Sequence, residues 1–230
     1  FKKNTYNYFM PEESIDHIDF DDLNRRAVSQ PIVSHIYTAD PSAHVFNGRI
    51  YIYPSHDVES NIPFDDLGSH FAMEDYHVIS MDSPSSNAVD NGVALHVKDV
   101  PWADKQMWAP DAAEKNGTYY LFFPAKTHDG IFRIGVATSS SPTGPFTPQP
   151  EAIKGSFSID PAVFMDEDGK YYMYFGGIWG GQLQRWKTGT FKSEGEGPLV
   201  HLPEEHEPAL CAKIAQLTDD LLEFAETPKD

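Results

Sequence analysis

Runs of aromatic and β-branched residues alternate along the chain with short turn segments. Such runs favour strands, and an Asn-Gly or Asp-Gly pair between them predicts a hairpin, because these residues tolerate the positive φ angles of a tight turn. The pattern occurs three times and predicts three β-hairpins in an all-β protein. The turn pairs and the strands after them are Asn47–Gly48 and Ile50–Tyr53, Asn116–Gly117 and Tyr119–Phe123, and Asp168–Gly169 and Tyr171–Phe175.

Helical spacing of apolar residues is weak in this sequence. Asp21–Val28 predicts one or two helical turns, whereas Ala212–Ala225 fits either a helix or a strand, Lys213–Leu217, followed by a turn. Asn61–Ser69 has the composition of a longer connection. No segment has the composition of an interdomain linker, so we expect one domain over residues 1–230.

Each predicted hairpin belongs to a longer repeat that opens with an aspartate. The three aspartates are Asp40, Asp111 and Asp160, and each precedes small or apolar residues, the glycine turn and the aromatic strand. A unit of about 40–50 residues with about four strands has the size of a propeller blade. Because the first strands of the blades surround the propeller axis, we expect the three carboxylates to meet in one pocket and to shift one another's pKa values. A single aspartate at such a position is also typical of a simple turn.

Acidic residues outnumber basic ones, with Asp+Glu 35 against Lys+Arg 17 and a formal net charge of -18. This charge repels polyanions, so we expect no nucleic-acid partner and a neutral or cationic ligand. The single cysteine, Cys211, excludes an internal disulfide framework and a cysteine-rich zinc site. No apolar run approaches the roughly 20 residues of a membrane-spanning helix, and Phe1–Asn4 is unlike a signal peptide, so we expect no membrane partner.

Four motifs, in their order along the chain, resemble glycoside hydrolase family 43, the five-bladed β-propeller enzymes that act on xylan and arabinan. They are Tyr37–Ser42, Met107–Asp111, Thr143–Phe146 and Ser158–Phe164, and the likeness extends over roughly Pro31–Trp186. The resemblance implies a five-bladed propeller. A chain of this length covers about three to four blades, so we expect it to be incomplete.

The resemblance also implies hydrolysis with inversion, in which two carboxyl groups act on opposite faces of a sugar ring. Asp40 would be the general base that activates water, and Asp160 would raise the pKa of the acid and orient the substrate. The general acid would be a glutamate at a further blade start. Glu196–Pro198 spells the family's Glu-Gly-Pro tripeptide without the turn and aromatic strand that should follow, whereas Ala212–Leu221 resembles the segment before the acid-bearing blade. We therefore expect the acid beyond Asp230.

Four further residues are candidates for substrate binding. Trp108 and Trp179 are candidates because aromatic rings stack on sugar faces, with packing between blades as the alternative for both. His56 would form a pocket wall, with a solvated loop as its alternative, and Asp111 belongs to the aspartate repeat. The ten histidines show no metal-ligand spacing, so we predict no metal ligands and no required cofactor, while the resemblance allows a structural calcium ion in the central channel.

Together these features predict an enzyme that hydrolyses arabinose or xylose units from a neutral plant polysaccharide or oligosaccharide of the xylan or arabinan type. A polymeric substrate implies a secreted or periplasmic location. The alternative is a non-catalytic carbohydrate-binding propeller that keeps the aspartate pocket without an acid. A fructan-hydrolysing propeller is a weaker match, because it expects Arg-Asp-Pro where this chain has Ile159–Pro161.

Overall fold

The computed structural model describes four stretches of the chain, residues 19–65, 68–177, 205–207 and 211–230. The chain divides into two units, Phe1–Ile32 and Val33–Asp230. Among the helices in the described stretches, none has the length and apolar character that a membrane span requires. That residues 1–230 form one domain stays a prediction.

The first unit contains a short helix, α1, at Phe20–Arg26. The helix begins where a carboxylate oxygen of Asp19 accepts a hydrogen bond from the backbone N–H of Asp22 at 2.9 Å, which caps the first turn. Acidic residues in the first turn and basic residues in the last turn complement the helix dipole, and Asp22 pairs with Arg26 at 2.8 Å. The helical turns predicted over Asp21–Val28 are therefore confirmed.

The described residues of the second unit form three antiparallel sheets, which we call blades 1, 2 and 3. Their strand orders are β1-β2-β3-β4, then β5-β7-β8-β9 with β6 paired to β7, and then β10-β11-β12. Consecutive antiparallel sheets of this kind are the blades of a propeller, so the all-β class and the propeller architecture are confirmed.

The strands of blade 1 are β1 Tyr37–Phe46, β2 Arg49–Asp57, β3 Asp75–Met81 and β4 Val89–His96. A single 3-10 turn, Val97–Asp99, leads out of this blade. The strands of blade 2 are β5 Ala103–Lys105, β6 Asp111–Lys115, β7 Thr118–Thr127, β8 Phe132–Ser139 and β9 Thr147–Pro148. The strands of blade 3 are β10 Ala162–Met165, β11 Tyr171–Phe175 and β12 Lys213–Gln216.

Two of the three predicted hairpins have the tight turn that their sequence predicts. Asn47 and Gly48 have φ values of 52° and 78°, and Asn116 and Gly117 have 54° and 81°. Two successive residues with positive φ form the turn whose twist matches that of the flanking strands. The strands pair directly across both turns.

The third hairpin has a longer turn than predicted. Strand β10 ends at Met165 and β11 begins at Tyr171, so five residues connect them. Within this loop Gly169 has a φ of 77° and donates its N–H to the carbonyl oxygen of Asp166 at 2.9 Å. The two-residue turn expected at Asp168–Gly169 is therefore wrong, because only the glycine of that pair adopts positive φ.

Near the end of the chain, the strand alternative of the sequence analysis is confirmed. Strand β12, Lys213–Gln216, pairs with β11, and Met173 lies opposite Ala215. A turn follows in which Leu221 has a φ of 60°. A helix over Ala212–Ala225 does not form, since the backbone groups of this segment bond to blade 3.

Strand β7 packs into two apolar cores at once. Leu121 and Phe123 face the core shared with blade 1, whereas Tyr120 and Phe122 face the core shared with blade 3. Alternate side chains of a strand point to opposite faces, and both faces of β7 are covered, which explains its uninterrupted apolar sequence. Each fully buried side chain of this size contributes about 1.5–3 kcal/mol. Blade 1 adds Tyr53, Tyr76 and Val78 to the first core, and blade 3 adds Val163, Met173 and Phe175 to the second.

Candidate functional site

A cavity of about 480 Å³ forms where the starts of the three blades converge. This volume is typical of small-molecule sites. The chain segments that precede or begin the blades supply Ala39, Asp40, Trp108, Ala109, Ile159 and Asp160. The end of β2 and the connection to β3 supply Asp57, Phe64, Asp65, Gly68, His70, Phe71 and Met73.

Asp40 and Asp160 share an unusual backbone conformation at this cavity. Their φ values are 46° and 56°, in the left-handed region that aspartate adopts more readily than most residues. At Asp40 the pairing of β1 with β2 shifts register between Ala39 and Ser42, which marks a bulge that re-aims side chains. Non-glycine residues in this region cost about 1–3 kcal/mol and cluster at functional sites.

Two carboxyl groups on the cavity wall, Asp160 and Asp57, have raised pKa values. Burial, and then the charge of Asp40, raises the pKa of Asp160 to about 6. Burial, and then the charge of Asp40, also raises the pKa of Asp57, while His56 acts in the opposite direction. Within the described residues, Oδ1 of Asp57 is buried and accepts no hydrogen bond. The cavity lining therefore contains four aspartates, Asp40, Asp57, Asp65 and Asp160, and the pKa of Asp160 is raised to about 6.

Aromatic side chains line another part of the cavity, and we call Phe64, His70, Phe71 and Trp108 the aromatic wall. The ring centroids of His70 lie 4.5 Å from Phe64 and 4.0 Å from Phe71, and Phe71 meets Trp108 edge-on at 6.3 Å. Phe64 and Phe71 expose 80% and 49% of their surfaces, which is unusual for residues of this type. Exposed aromatic faces beside carboxylates form a surface on which sugar rings stack and hydrogen-bond.

Trp108 is fixed in this wall by three neighbours. Its indole N–H donates to the carbonyl oxygen of Phe71 at 2.8 Å, and its ring lies 4.4 Å from that of Phe132. The backbone of Gly68 approaches so closely that a Cβ there would lie 2.7 Å from Cη2 of Trp108. Gly68 also has a φ of +66°, so both its conformation and its contact favour glycine.

Asp111, the third aspartate of the repeat, does not line the cavity. It is buried, and its Oδ1 accepts hydrogen bonds from Ser42, from His44 Nε2 at 2.8 Å and from the N–H of Ala112 at 2.8 Å. Its Oδ2 accepts the N–H of Val163 at 2.5 Å. Asp111 therefore joins β1, β6 and β10, one strand from each blade, and both of its carboxylate oxygens accept hydrogen bonds within this junction.

His56 also lies outside the cavity lining, whereas its neighbour Asp57 is part of it. His56 Nδ1 instead bonds to Asp75 at 2.6 Å. Successive strand residues point to opposite faces, so Asp57 reaches the cavity where His56 does not. Trp179 and Glu196–Pro198 lie outside the described residues.

The sequence analysis missed Asp57 and most of the aromatic wall. For Asp57 the sequence contained a signal, because Asp57 directly follows His56 and successive residues of a strand point to opposite faces of the sheet. For Phe64, His70 and Phe71 none existed, because they lie in an irregular connection whose path depends on contacts with Trp108.

Among the described residues, Asp111 does not offer a free oxygen to a calcium ion. Calcium takes six to eight oxygen ligands, whereas both oxygens of Asp111 already accept hydrogen bonds from N–H and O–H donors. In these stretches of the chain, the side chains placed to share a metal ion are His56, Asp75 and His77, which offer two nitrogens and one carboxylate. Nitrogen ligands suit transition metals and not calcium.

Comparison with known proteins gives consistent matches. Residues 29–212 match the family described as Glycosyl hydrolases family 43. The chain is 58% identical over 204 residues to xylosidase/arabinosidase 43A of Humicola insolens, which covers 87% of this chain and 62% of that protein. It is 51% identical over 194 residues to a xylosidase/arabinosidase of Bacteroides ovatus, covering 84% and 58%.

Among solved structures, a family 43 β-xylosidase/α-arabinofuranosidase from a compost microbial metagenome, in complex with xylotriose and in a calcium-free form, superposes with a TM-score of 0.82. It is 59% identical and covers 87% of this chain and 61% of that one. The chain thus spans about three fifths of the length of these relatives. Since the family match extends over most of the sequence and the structure superposes on a family member, the chain belongs to glycosyl hydrolase family 43.

Proposed function

We propose that this protein hydrolyses xylose- or arabinose-containing oligosaccharides at the cavity that holds Asp40 and Asp160. The observation that carries the proposal is that these two carboxylates, from different blades, share one cavity with an aromatic wall and that the pKa of Asp160 is raised to about 6. Perturbed carboxyl groups in a cavity of this size are typical of acid–base sites. The relatives named xylosidase/arabinosidase support the choice of sugars.

Asp40 acts as the general base in this proposal. Its carboxylate takes a proton from a water molecule, whose oxygen attacks the anomeric carbon and inverts its configuration. Asp40 suits the role because it is exposed to the cavity on a bulge, which leaves room for water beside it. A base of this kind contributes about 10²–10⁴-fold to the rate.

Asp160 modulates the acid and orients the substrate. With a pKa of about 6 it exchanges a proton at mildly acidic to neutral pH, and its charged form raises the pKa of a neighbouring acid. No glutamate is among the described residues that line the cavity. A glutamate beyond residue 230 as proton donor to the leaving oxygen stays a prediction.

The aromatic wall binds the sugar rings. Phe71 and Trp108 present apolar faces beside the carboxylates, so a pyranose or furanose ring packs on them while its hydroxyls face Asp57 and Asp160. A neutral oligosaccharide suits a protein with a net charge of -18. A secreted or periplasmic location follows from a polymeric source of these sugars and is part of the proposal.

The test measures nitrophenol release from 4-nitrophenyl β-D-xylopyranoside and 4-nitrophenyl α-L-arabinofuranoside by the purified protein. Asp40→Asn keeps a residue that tolerates positive φ, so we expect kcat to fall at least about 10²–10⁴-fold while the fold persists. Asp82→Asn is the matched control, because Asp82 is 78% exposed and lies outside the cavity. Proton NMR of the released sugar is expected to show the inverted anomer first.

The competing function, carbohydrate binding without catalysis, gives a different result. In that case the wild type and Asp40→Asn bind xylotriose equally and release nitrophenol at the same background rate. Release of the retained anomer would reject the inverting roles assigned to Asp40 and Asp160.

A further inference from the structure

Blade 1 carries a connected set of histidine and aspartate side chains outside the cavity. His56 Nδ1 lies 2.6 Å from Asp75 Oδ1, and His77 Nε2 lies 3.9 Å from the same oxygen. The rings of His56 and His77 meet at a centroid distance of 4.7 Å. We call His56, Asp75 and His77 the blade 1 histidine cluster; their side chains are 19%, 16% and 13% exposed.

The hydrogen bonds of His77 determine which of its nitrogens faces the cluster. Its Nδ1 lies 2.9 Å and 3.0 Å from the two oxygens of Asp90. A carboxylate accepts only, so Nδ1 carries the hydrogen and donates it. In the neutral imidazole, Nε2 then holds a lone pair, and this lone pair faces Asp75.

A lone pair aimed at a carboxylate is unfavourable unless a proton or a metal cation lies between them. The 3.9 Å separation of His77 Nε2 from Asp75 Oδ1 is too long for a hydrogen bond. Two ligands of one ion with bonds of about 2.0–2.1 Å lie roughly 3.3 Å apart. The separation of His77 Nε2 from Asp75 Oδ1 is longer than this spacing, and the 2.6 Å separation of His56 Nδ1 from Asp75 Oδ1 is shorter. All three atoms lie within 4.8 Å of one another, so changes in separation of up to about 1.5 Å bring them to ligand spacing.

We propose that His56 Nδ1, Asp75 Oδ1 and His77 Nε2 bind a divalent transition-metal ion, with Zn²⁺ as the representative ion. Two imidazoles and one carboxylate match the preferences of zinc and its neighbours, whereas calcium and magnesium prefer oxygen ligands alone. Three protein ligands leave a fourth position for water. The inference does not depend on the proposed function.

The surroundings of the cluster support this assignment. Asp90 accepts from His77, and His35 Nε2 lies 2.7 Å from the second oxygen of Asp90. A carboxylate behind a ligating histidine fixes its tautomer and increases its basicity, and removal of such a partner typically weakens metal binding about 10–100-fold. Asp75 and His77 belong to β3 and His56 belongs to β2, the neighbouring antiparallel strand.

A bound ion would join β2 to β3 beside the cavity. His56 precedes Asp57, a lining residue, so metal binding at the cluster restrains the strand that carries this wall. The ion itself would sit outside the cavity lining, since none of its three ligands belongs to that lining. The role of the ion is therefore structural, and metal binding and protein stability are the quantities that test it.

The test uses tag-free purified protein, freed of metal by a chelator, with Zn²⁺ titrated by calorimetry and bound Co²⁺ followed by visible absorption. We expect about one ion per chain in the wild type, intense absorption of tetrahedral Co²⁺, and a melting temperature that rises with added Zn²⁺. His77→Gln is expected to weaken Zn²⁺ binding at least 100-fold, and Asp90→Asn about 10–100-fold. Exposed His128→Gln, remote from the cluster, is the control and is expected to bind as the wild type does.

The proposal is overturned if wild-type protein shows no saturable binding up to millimolar Zn²⁺, or if His77→Gln binds Zn²⁺ as the wild type does. Circular dichroism of each variant shows whether it folds. If His77→Gln does not fold, Asp90→Asn decides, because it leaves all three ligands in place: unchanged Zn²⁺ affinity in that variant would also reject the site.

Discussion

Asp40 raises the pKa of Asp160 although the two residues belong to different blades and lie far apart in the sequence. Both residues precede a proline and adopt the left-handed backbone conformation, with φ values of 46° and 56°. Both line one cavity. The same local device, repeated at the starts of two blades, thus aims two carboxylates at a shared volume, where the charge of one opposes ionisation of the other.

The raised pKa of Asp160 predicts a specific dependence of stability on pH. In the folded protein this pKa is about 6, against an ordinary value of 3.8 that we assign to the unfolded chain. Between these pH values the folded state holds a proton that the unfolded state has lost, so the contribution of Asp160 to stability is present below pH 4 and is lost as the pH rises through 6. Asp160→Asn removes the titrating group and therefore this pH dependence, and asparagine tolerates the positive φ at this position.

Urea denaturation of the wild type and Asp160→Asn at pH 4 and pH 7 measures this effect. The free energy of unfolding of Asp160→Asn minus that of the wild type is expected to be more positive at pH 7 than at pH 4. Since all other groups are shared, their titration cancels in the comparison. An equal difference at both pH values would show that Asp160 titrates normally in the folded state.

The charge of Asp40 predicts that the pKa of Asp160 changes when Asp40 is replaced. In Asp40→Asn the like charge is removed while burial remains, so the pKa of Asp160 is expected to fall below 6 and to stay above its ordinary value. Carboxyl ¹³C NMR of aspartate-labelled protein measures the pKa in both proteins. Asp82→Asn, at an exposed position, is expected to leave the Asp160 signal unchanged, and an unchanged signal in Asp40→Asn would remove the electrostatic link between the two blades.

The features that the sequence predicted correctly depend on local chemistry. Asn47–Gly48 and Asn116–Gly117 form tight turns because both residues of each pair tolerate positive φ. Asp168–Gly169 carries the same local signal, yet the loop there has five residues. Cross-strand pairing decides the loop length, since β10 and β11 pair from Met165 and Tyr171 outward. A local motif identifies a turn, whereas register is a property of two strands together.

The residues of the cavity likewise divide into those that the local sequence predicts and those that depend on contacts between distant segments. Asp40, Asp160 and Trp108 were placed at one site by the repeat and the family resemblance, and they do line one cavity. Asp111 occupies the equivalent repeat position but lacks the left-handed backbone, and its carboxylate instead joins three blades. The difference follows from tertiary hydrogen bonds that a repeat cannot reveal. Phe71 reaches the cavity only because its connection folds over Trp108.

The close contact of Gly68 with Trp108 predicts that this glycine shapes the aromatic wall. A Cβ at Gly68 would lie 2.7 Å from the indole ring, so Gly68→Ala is expected to displace Trp108 and to weaken xylotriose binding about 10-fold or more. Gly130→Ala is the matched control, because Gly130 has a φ of +77° and open space around its Cα. It carries the same backbone cost without the clash.

Intrinsic fluorescence and xylotriose titration measure the two variants. We expect a shifted tryptophan emission and weaker binding in Gly68→Ala only, and a larger loss of stability in Gly68→Ala than in Gly130→Ala, because the clash adds to the shared backbone cost. Equal binding by the two variants would show that Trp108 accommodates the methyl group without effect on the cavity.

The hydrogen bonds of Asp111 predict that it stabilises the junction of the blades and does not bind substrate. In Asp111→Ala the buried N–H of Val163 loses its acceptor, and His44 Nε2 loses one of two partners and keeps Ser42. An unsatisfied buried donor costs about 1–3 kcal/mol, and hydrogen bonds to a charged group are worth about 1.5–3 kcal/mol, so we expect the free energy of unfolding to fall by roughly 2–4 kcal/mol. Urea denaturation measures this loss, and Asp82→Ala, which removes an exposed ion pair with Arg49, is expected to cost less than about 1 kcal/mol. The folded fraction of Asp111→Ala is expected to keep the wild-type KM for nitrophenyl xyloside, whereas a KM that rises while stability is unchanged would return Asp111 to the substrate-binding residues.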